Sequence, residues 1–234
     1  MSTADTLFAA LDHPTKRARR QAAEALGELG THDAEVRARL LGELGKGDLA
    51  RRWTVAYALF LGGDRSERLW PVLVEAIGSD DGDLRWAASR LLVALEVPDL
   101  TDRLLAALAA GPAEQRKMSL YCLREHGERA ARVDAAVTAA LDDAEAGIRL
   151  AAMSSLVVVA WDTEAAARAV LRRLGDRDAG VRRAAAAALG RLDSQDPDVR
   201  TALVAAAGAQ DEALARAARG ALERLARSRG SGPG

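Results

Sequence analysis

The sequence predicts an all-α fold, a right-handed α-solenoid of about seven helix-turn-helix repeats, and three observations support this prediction. A leucine recurs at steps of 33, 33, 31, 33, 33 and 33 residues, at Leu26, Leu59, Leu92, Leu123, Leu156, Leu189 and Leu222. An arginine stands seven positions before each of the first six, at Arg19, Arg52, Arg85, Arg116, Arg149 and Arg182. Strand-like alternation is nowhere sustained. A repeat that spans the chain indicates units that stack on their neighbours.

Each repeat has the pattern of two helices joined by an acidic turn. The first helix is a short amphipathic run, as in residues 100–111, and it ends near a recurring glycine, at Gly45, Gly78, Gly111, Gly175 and Gly208. Glycine at this place is typical of a left-handed residue that ends a helix, so we expect that conformation here. An aspartate stands four positions before the arginine column in four repeats, at Asp48, Asp81, Asp178 and Asp211, where the last repeat has Ala215 in place of the arginine. These aspartates are expected to cap the second helix.

The second helix carries two columns of mostly small residues. One column is Ala22, Val55, Ala88, Ser119, Ala152, Ala185 and Ala218, and the other is Ala25, Ala58, Leu91, Cys122, Ser155, Ala188 and Ala221. Small side chains three positions apart form a stripe on one helical face, which favours close packing between repeats. The arginine column is expected to tie repeats together by pairing with acids in the turns, and phosphate binding is the alternative. Arg149 is the arginine we select to test this role.

Composition narrows the protein class without naming a reaction. The chain has 234 residues, a formal net charge of −1 and 3% aromatic residues, so it is no bulk polycation. A single cysteine, Cys122, excludes an internal disulfide, and we expect it to be a buried filler. The longest apolar run, residues 156–161, is too short to cross a bilayer. We therefore expect a cytoplasmic protein without membrane contact, built as a single solenoid over residues 1–226 with a flexible tail at 227–234.

The repeat resembles a known family. The segments DAGVRRAAAAALGRL (178–192) and ARRQAAEALGELG (18–30), together with Pro71 in a first helix, resemble HEAT-repeat proteins, specifically the HEAT-like repeats of the phycobilisome-lyase type, over residues 5–226. Proteins with such repeats include scaffolds, lyase subunits, hydroxylases and DNA glycosylases. The resemblance implies that the second helices line a concave side. It also implies that the first and fifth residues after the arginine face a ligand.

Large side chains fill these two columns in the first four repeats and become fewer in repeats 5 to 7, where no aromatic residue occurs. The candidate binding residues are Arg20, Glu24, Trp53, Tyr57, Trp86, Arg90, Lys117 and Tyr121. Repeats 5 to 7 have Leu150, Arg183, Arg216, Ser154, Ala187 and Gly220 in the same places. Aromatic faces beside cations suit rings, cationic groups and peptide side chains. We therefore predict a binding groove in repeats 1–4, with packing between repeats as the alternative. Trp70 and Trp161 lie on or near first helices and are expected to be core or cap residues.

The leading functional hypothesis is a non-catalytic recognition scaffold for a protein or peptide partner. A nucleic-acid-binding protein or HEAT-like DNA glycosylase using the same groove is one alternative. A lyase-type or accessory enzyme subunit that binds an aromatic small molecule is another. We expect no catalytic residue, metal or cofactor. The three histidines lack metal-ligand spacing, no His-Glu dipeptide matches the iron ligands of the related hydroxylases, and Ser154 and Ser155 have no histidine in register.

Overall fold

The computed structural model describes residues 2–95 and 97–230, and within these it contains fourteen α-helices and no strand. The helices are α1 (Thr3–Ala10), α2 (Lys16–His32), α3 (Ala34–Glu43), α4 (Leu49–Leu61), α5 (Trp70–Ala76), α6 (Gly82–Ala94), α7 (Leu100–Ala110), α8 (Ala113–His126), α9 (Ala131–Ala139), α10 (Ala146–Val159), α11 (Thr163–Leu171), α12 (Ala179–Leu192), α13 (Pro197–Ala207) and α14 (Glu212–Gly230). Short 3-10 turns occupy Glu67–Leu69, Ala140–Asp142 and Arg172–Gly175. The all-α repeat class is confirmed.

Backbone packing divides the chain into two compact units, Met1–Leu100 and Thr101–Gly234. In the first unit, each odd-numbered helix packs on the next even-numbered helix, and α2 also packs along α4. In the second unit, α8, α10, α12 and α14 pack on one another in sequence, while α9, α11 and α13 form the outer partners. The even-numbered helices are the predicted second helices of the repeats. The step of 31 residues between Leu92 and Leu123 means that the fourth repeat is two residues shorter than the others. Only residues 111–112 separate its helices α7 and α8, so the turn between the helices is short.

The small-residue columns let consecutive second helices approach closely. The column that begins at Ala22 is buried in all seven repeats. Two glycines mark where the helices come nearest. A Cβ on Gly27 of α2 would lie 2.8 Å from the Ala58 carbonyl oxygen of α4, and one on Gly190 of α12 would lie 2.6 Å from the Ala221 Cα of α14. Any larger side chain at these two positions would push the second helices apart.

The predicted aspartate caps are confirmed. Asp48, Asp81, Asp178 and Asp211 each accept backbone N–H hydrogen bonds at the start of a second helix. The prediction for the recurring glycines is wrong, because none of them has a positive φ and the glycines that do are Gly47, Gly63 and Gly127. At Gly78 and Gly208 the first helix instead ends with a 3-10 hydrogen bond. The N–H groups of Gly78 and Gly208 donate to carbonyls three residues earlier, which satisfies those carbonyls without a left-handed residue.

The arginine column ties the repeats together. In four repeats the guanidinium donates to the carbonyl oxygen six residues earlier, in the turn before its own helix, with donors Arg19, Arg85, Arg149 and Arg182. Four arginines also reach an acid of the following repeat, in the pairs Arg52–Glu75, Arg116–Asp143, Arg149–Asp176 and Arg182–Asp211. Three of these pairs are bidentate, with Arg182–Asp211 the single-contact exception. These contacts agree with the structural role proposed for the column.

Two expectations fail at the C-terminal half of the chain. Trp161, expected in the core or in a cap, has 62% of its surface exposed. Its backbone N–H donates to the carboxylate of buried Asp134, and Arg129 donates to the adjacent Ala160 carbonyl, so the turn is fixed while the indole points outward. The tail predicted from residue 227 is helical as far as Gly230, because α14 continues to that residue. Residues 231–234 of the predicted tail lie outside the described residues.

Removing the arginine of the most buried tie should destabilise the fold. The side chains of Arg149 and Asp176 are 4% and 5% exposed, and two hydrogen bonds of 2.9 and 2.8 Å join them. Burial works to raise the pKa of Asp176, but the hydrogen bonds from Arg149 and from the Asp178 backbone N–H, with the charges of Arg149 and Arg173, together outweigh burial and hold that pKa below its usual range. We predict that Arg149→Ala lowers the free energy of unfolding by about 3 kcal/mol, because it leaves a buried carboxylate unpaired.

Urea denaturation followed by circular dichroism measures this change. Arg183→Ala is the matched control, because Arg183 is exposed and its loss should cost less than about 0.5 kcal/mol. Equal stability of Arg149→Ala and the wild type would contradict the structural role of the arginine column.

Candidate functional site

A groove of about 660 Å³ opens in the first unit along three successive second helices, α2, α4 and α6. It is lined by Lys16, Arg19, Arg20, Ala50, Trp53, Thr54, Tyr57, Phe60, Asp81, Asp83, Leu84, Ala87, Arg90, Leu91 and Ala94. α2 packs directly along α4, whereas α4 and α6 make few backbone contacts. The groove is therefore bounded by the large side chains that α4 carries at Trp53 and Tyr57 and by the gap between α4 and α6.

Trp53 and Tyr57 form the aromatic wall of the groove. They stand four residues apart on α4, and their rings stack with centroids 5.8 Å apart and planes inclined by 16°. Helical spacing of four brings such side chains together. Both are partly buried, so neither is a fully enclosed core residue. An aromatic pair in this position offers a preorganised flat surface to a ligand.

Two arginines predicted for the site also line the groove, and they differ in their pairing. Arg20 of α2 donates to Glu24 across 2.9 Å, and its guanidinium carbon lies 6.0 Å from the centre of the Tyr57 ring. The Glu24 carboxylate is the main reason that the pKa of Arg20 is raised. Arg90 of α6 is exposed and forms no ion pair within the described residues. The groove thus holds one guanidinium paired with a carboxylate and one without an ion pair, and a third, that of Arg19, donates to the His13 and Pro14 carbonyls.

A lysine spans the groove at the N-terminal ends of its helices. Lys16 of α2 reaches Asp81, the cap of α6, at 2.7 Å and Asp83 of α6 at 3.1 Å. Adjacent helices pack about 8–10 Å apart, so a side chain that joins the first hairpin to the third requires these helix ends to converge. The hydrogen bonds to Asp81 and Asp83 raise the pKa of Lys16, and Lys16 lowers the pKa of Asp81. We call this contact the Lys16 clasp.

The predicted site residues are only partly brought together. Arg20, Trp53, Tyr57 and Arg90 line the groove, and Glu24 borders it through Arg20. Trp86 lies on α6 with 50% of its surface exposed, and it is not among the lining residues.

Lys117 and Tyr121 belong to α8 in the second unit. There Lys117 bonds Glu114 at 2.7 Å, and the Arg124 guanidinium lies 5.2 Å from the Tyr121 ring. Sequence reasoning missed Lys16, Asp81 and Asp83 as groove residues, because only the curvature of the hairpins makes them neighbours.

The described residues give little support to other kinds of site. No group of three or more His, Cys, Asp or Glu residues there could hold a metal ion. None of the described helices combines the length and apolar character needed to cross a membrane. Cys122 is buried as expected, and burial raises its pKa to about 12, so its thiolate is scarcely formed at neutral pH. The groove in the first unit is therefore the leading candidate site.

The fold and the repeat define a helical-repeat protein of the HEAT-like class. No family model matches the chain, and no curated protein matches it in sequence. Solved structures do match. A chain in the structure of Kap95p with RanGDP is similar at 15% identity and a TM-score of 0.65, over 97% of this chain and 34% of that one.

Two further structures give the same result. Importin beta is similar at 14% identity and a TM-score of 0.61, over 97% of this chain and 34% of that chain. The Escherichia coli protein YibA is similar at 15% identity and a TM-score of 0.59, over 97% of this chain and 93% of that chain. Likeness at these identities shows the fold alone, and the HEAT-like fold inferred from the sequence is confirmed.

The Lys16 clasp should control access to Trp53. We predict that Lys16→Met increases collisional quenching of Trp53 by acrylamide, measured in a variant where Trp70, Trp86 and Trp161 are Phe. In the parent, quenching should rise from about 0.05 to about 1 M NaCl as salt screens the exposed ion pair. The ion pair should persist at pH values between the lowered pKa of Asp81 and the raised pKa of Lys16. At a pH below the pKa of Asp81 its carboxylate is protonated, and the clasp should open.

The control for the clasp is Lys46→Met, since Lys46 pairs with Glu43 and does not line the groove. It should leave both the quenching and its salt dependence unchanged. Identical quenching of Trp53 in Lys16→Met and its parent, at low and high salt, would show that the lysine does not limit access to the groove.

Proposed function

We propose that this protein is a non-catalytic recognition scaffold and that the groove along α2, α4 and α6 binds a protein or peptide segment. The observation that carries the proposal is the stacked pair Trp53–Tyr57, held partly exposed beside a free cation, Arg90. Aromatic and arginine side chains at the centre of an interface are those that contribute most to affinity. In repeats 5 to 7 the same columns carry no aromatic residue, so the frame does not require aromatics there.

The charges in the groove favour a peptide over a nucleic acid. Its lining includes the carboxylates of Asp81 and Asp83, and Glu24 neutralises Arg20 at its edge. Affinity for DNA and RNA depends on neutralising several phosphates at once. Arg90 and the carbonyl-bonded Arg19 are the lining cations without an ion pair among the described residues, and two such charges are too few for that. A peptide with an aromatic or aliphatic side chain and a nearby carboxylate fits better, because it can contact Trp53 and Tyr57 while it pairs with Arg90.

The shape of the groove also favours an extended ligand. It runs along three successive second helices and is partly open to solvent. The fold is shared with a structure in which Kap95p binds RanGDP, so repeats of this class can recognise proteins. Lys117 and Tyr121 occupy the same two columns in the fourth repeat, and we propose that they too contact a protein partner.

Truncating Trp53 should abolish most of the affinity for a peptide selected on this groove. A random-peptide phage library is panned on the wild type, and enriched peptides are synthesised. Their affinities for the variants are measured by fluorescence anisotropy. We expect Trp53→Ala to weaken binding about tenfold or more, and Arg90→Gln to weaken binding of peptides that carry a carboxylate.

The matched control is Trp161→Ala, because Trp161 is the most exposed tryptophan and lies in the other unit. It should leave the affinity unchanged. Failure to enrich any peptide, or enrichment of peptides that bind Trp53→Ala as tightly as the wild type, would overturn the proposal. Tighter Trp53-dependent binding of a single-stranded oligonucleotide or of a small aromatic compound would favour the corresponding alternative.

A further inference from the structure

A second groove lies in the other unit and has a different character. It is a shallow trough of about 540 Å³ between α12 and α14, lined by Gly180, Arg183, Ala184, Ala187, Ala213, Arg216, Ala217, Gly220 and Arg224. Its floor consists of alanine and glycine, and three arginines rise from it. None of the lining residues is acidic or aromatic.

The three arginines have no carboxylate partner among the described residues. Arg183 and Arg216 are exposed and form no ion pair or hydrogen bond there, and Arg224 donates only to the Gly220 carbonyl of its own helix. Arg182, next to Arg183 in sequence, is by contrast paired with Asp211. The acids of α14, Glu212 and Glu223, are exposed and do not line the trough. Three guanidinium groups therefore lie over a small floor without an ion pair among the described residues, and the Asp178 carboxylate, which caps α12, is the acid beside the lining residue Gly180.

The spacing of the arginines fits an extended chain. Arg216 and Arg224 are eight residues apart on α14, which places their Cα atoms about 12 Å apart along the helix. Arg183 projects from the neighbouring helix α12, across the trough from Arg216. An extended peptide advances about 3.3 Å per residue, so carboxylates four positions apart would span the same distance. The alanine and glycine floor leaves space for a peptide backbone to approach both helices.

We infer that the α12–α14 trough binds an acidic, extended segment of a protein partner, with carboxylates spaced about four residues apart. Arginine pairs with carboxylates through parallel hydrogen bonds, which makes a set of unpaired arginines selective for such groups. A nucleic acid is the less suitable ligand, because the trough has no aromatic face for bases and only three unopposed cations for phosphates. This surface is separate from the aromatic groove and does not depend on the function proposed for it.

The inference can be tested with three defined probes and the full chain. The first is a fluorescein-labelled twelve-residue peptide with glutamates at every fourth position among glycine and serine. The second is its isomer with the glutamates adjacent, and the third is a single-stranded oligonucleotide of equal charge. Binding is measured by anisotropy at low salt, and backbone NMR shifts locate the contact. We expect the spaced peptide to bind most tightly and to shift residues of α12 and α14.

The test variant is the double substitution Arg183→Gln/Arg216→Gln, which should weaken binding of the spaced peptide about tenfold. The matched control is Arg172→Gln/Arg200→Gln, which removes the same charge at two exposed arginines that do not line the trough. Unchanged thermal stability will show that both variants are folded, and Arg183→Lys/Arg216→Lys should retain part of the affinity.

Several outcomes would overturn the inference: no binding of the spaced peptide, equal binding of its isomer or of the oligonucleotide, or equal loss in the control variant. Because Trp53→Ala leaves the trough intact, it should not change this affinity, so failure of the trough and failure of the aromatic groove can be told apart.

Discussion

The close approach of successive second helices is the constraint on which the structure depends. The distance between packed helices is set by the side chains at their contact, and in this chain the contact is made by alanine, serine and glycine. The positions Gly27 and Gly190 have no space for even a Cβ. This requirement fixes the small-residue columns and leaves the outward columns of the same helices free to vary. The arginine column adds ties, since Arg116, Arg149 and Arg182 each bond both their own turn and an acid of the next repeat.

The two grooves differ in the side chains at the first and fifth positions after the arginine column. In α4 the free columns hold Trp53 and Tyr57, and the space between α4 and α6 opens beside them. In α12 and α14 they hold Arg183, Arg216, Ala187 and Gly220, so the helices stay in contact and the surface is shallow and basic. One frame thus presents an aromatic groove in one unit and a cationic trough in the other. The functional proposals follow from these side chains together with the different spacing of the second helices in the two places.

The regular parts of the fold could be predicted because they are imposed by local chemistry repeated seven times. The period, the aspartate caps, the buried small column and the role of Arg149 all follow from spacing along one helix or between equivalent positions. The stacking of Trp53 on Tyr57 is also local, since the two are four residues apart. The ends of the first helices were predicted wrongly, because a glycine there permits a left-handed residue without requiring one, and 3-10 tightening satisfied the carbonyls instead.

Features that depend on distant residues could not be predicted. The Lys16 clasp joins residues 65 and 67 positions apart, and it exists only because the hairpins curve. The exposure of Trp161 depends on Asp134 and Arg129, which hold its turn from another hairpin. The same curvature leaves Trp86 outside the groove lining, although its column position equals that of Trp53. A single sequence shows which residues occupy equivalent positions in successive repeats. It does not show which of these positions come close together in space.

The most direct test asks whether Trp53 and Tyr57 form a binding surface or stabilise the packing of the repeats. A comparison of the free energies of unfolding of two variants answers it. Leu59 lies on α4 beside Trp53 and Tyr57, but it is buried, and Leu59→Ala should cost about 2–5 kcal/mol as core leucines do. If the aromatics are there for a ligand, Trp53→Ala measured by urea denaturation should cost clearly less than Leu59→Ala. A cost for Trp53→Ala equal to or greater than that of Leu59→Ala would show that Trp53 holds the repeats together, and it would contradict the assignment of the groove as a binding surface.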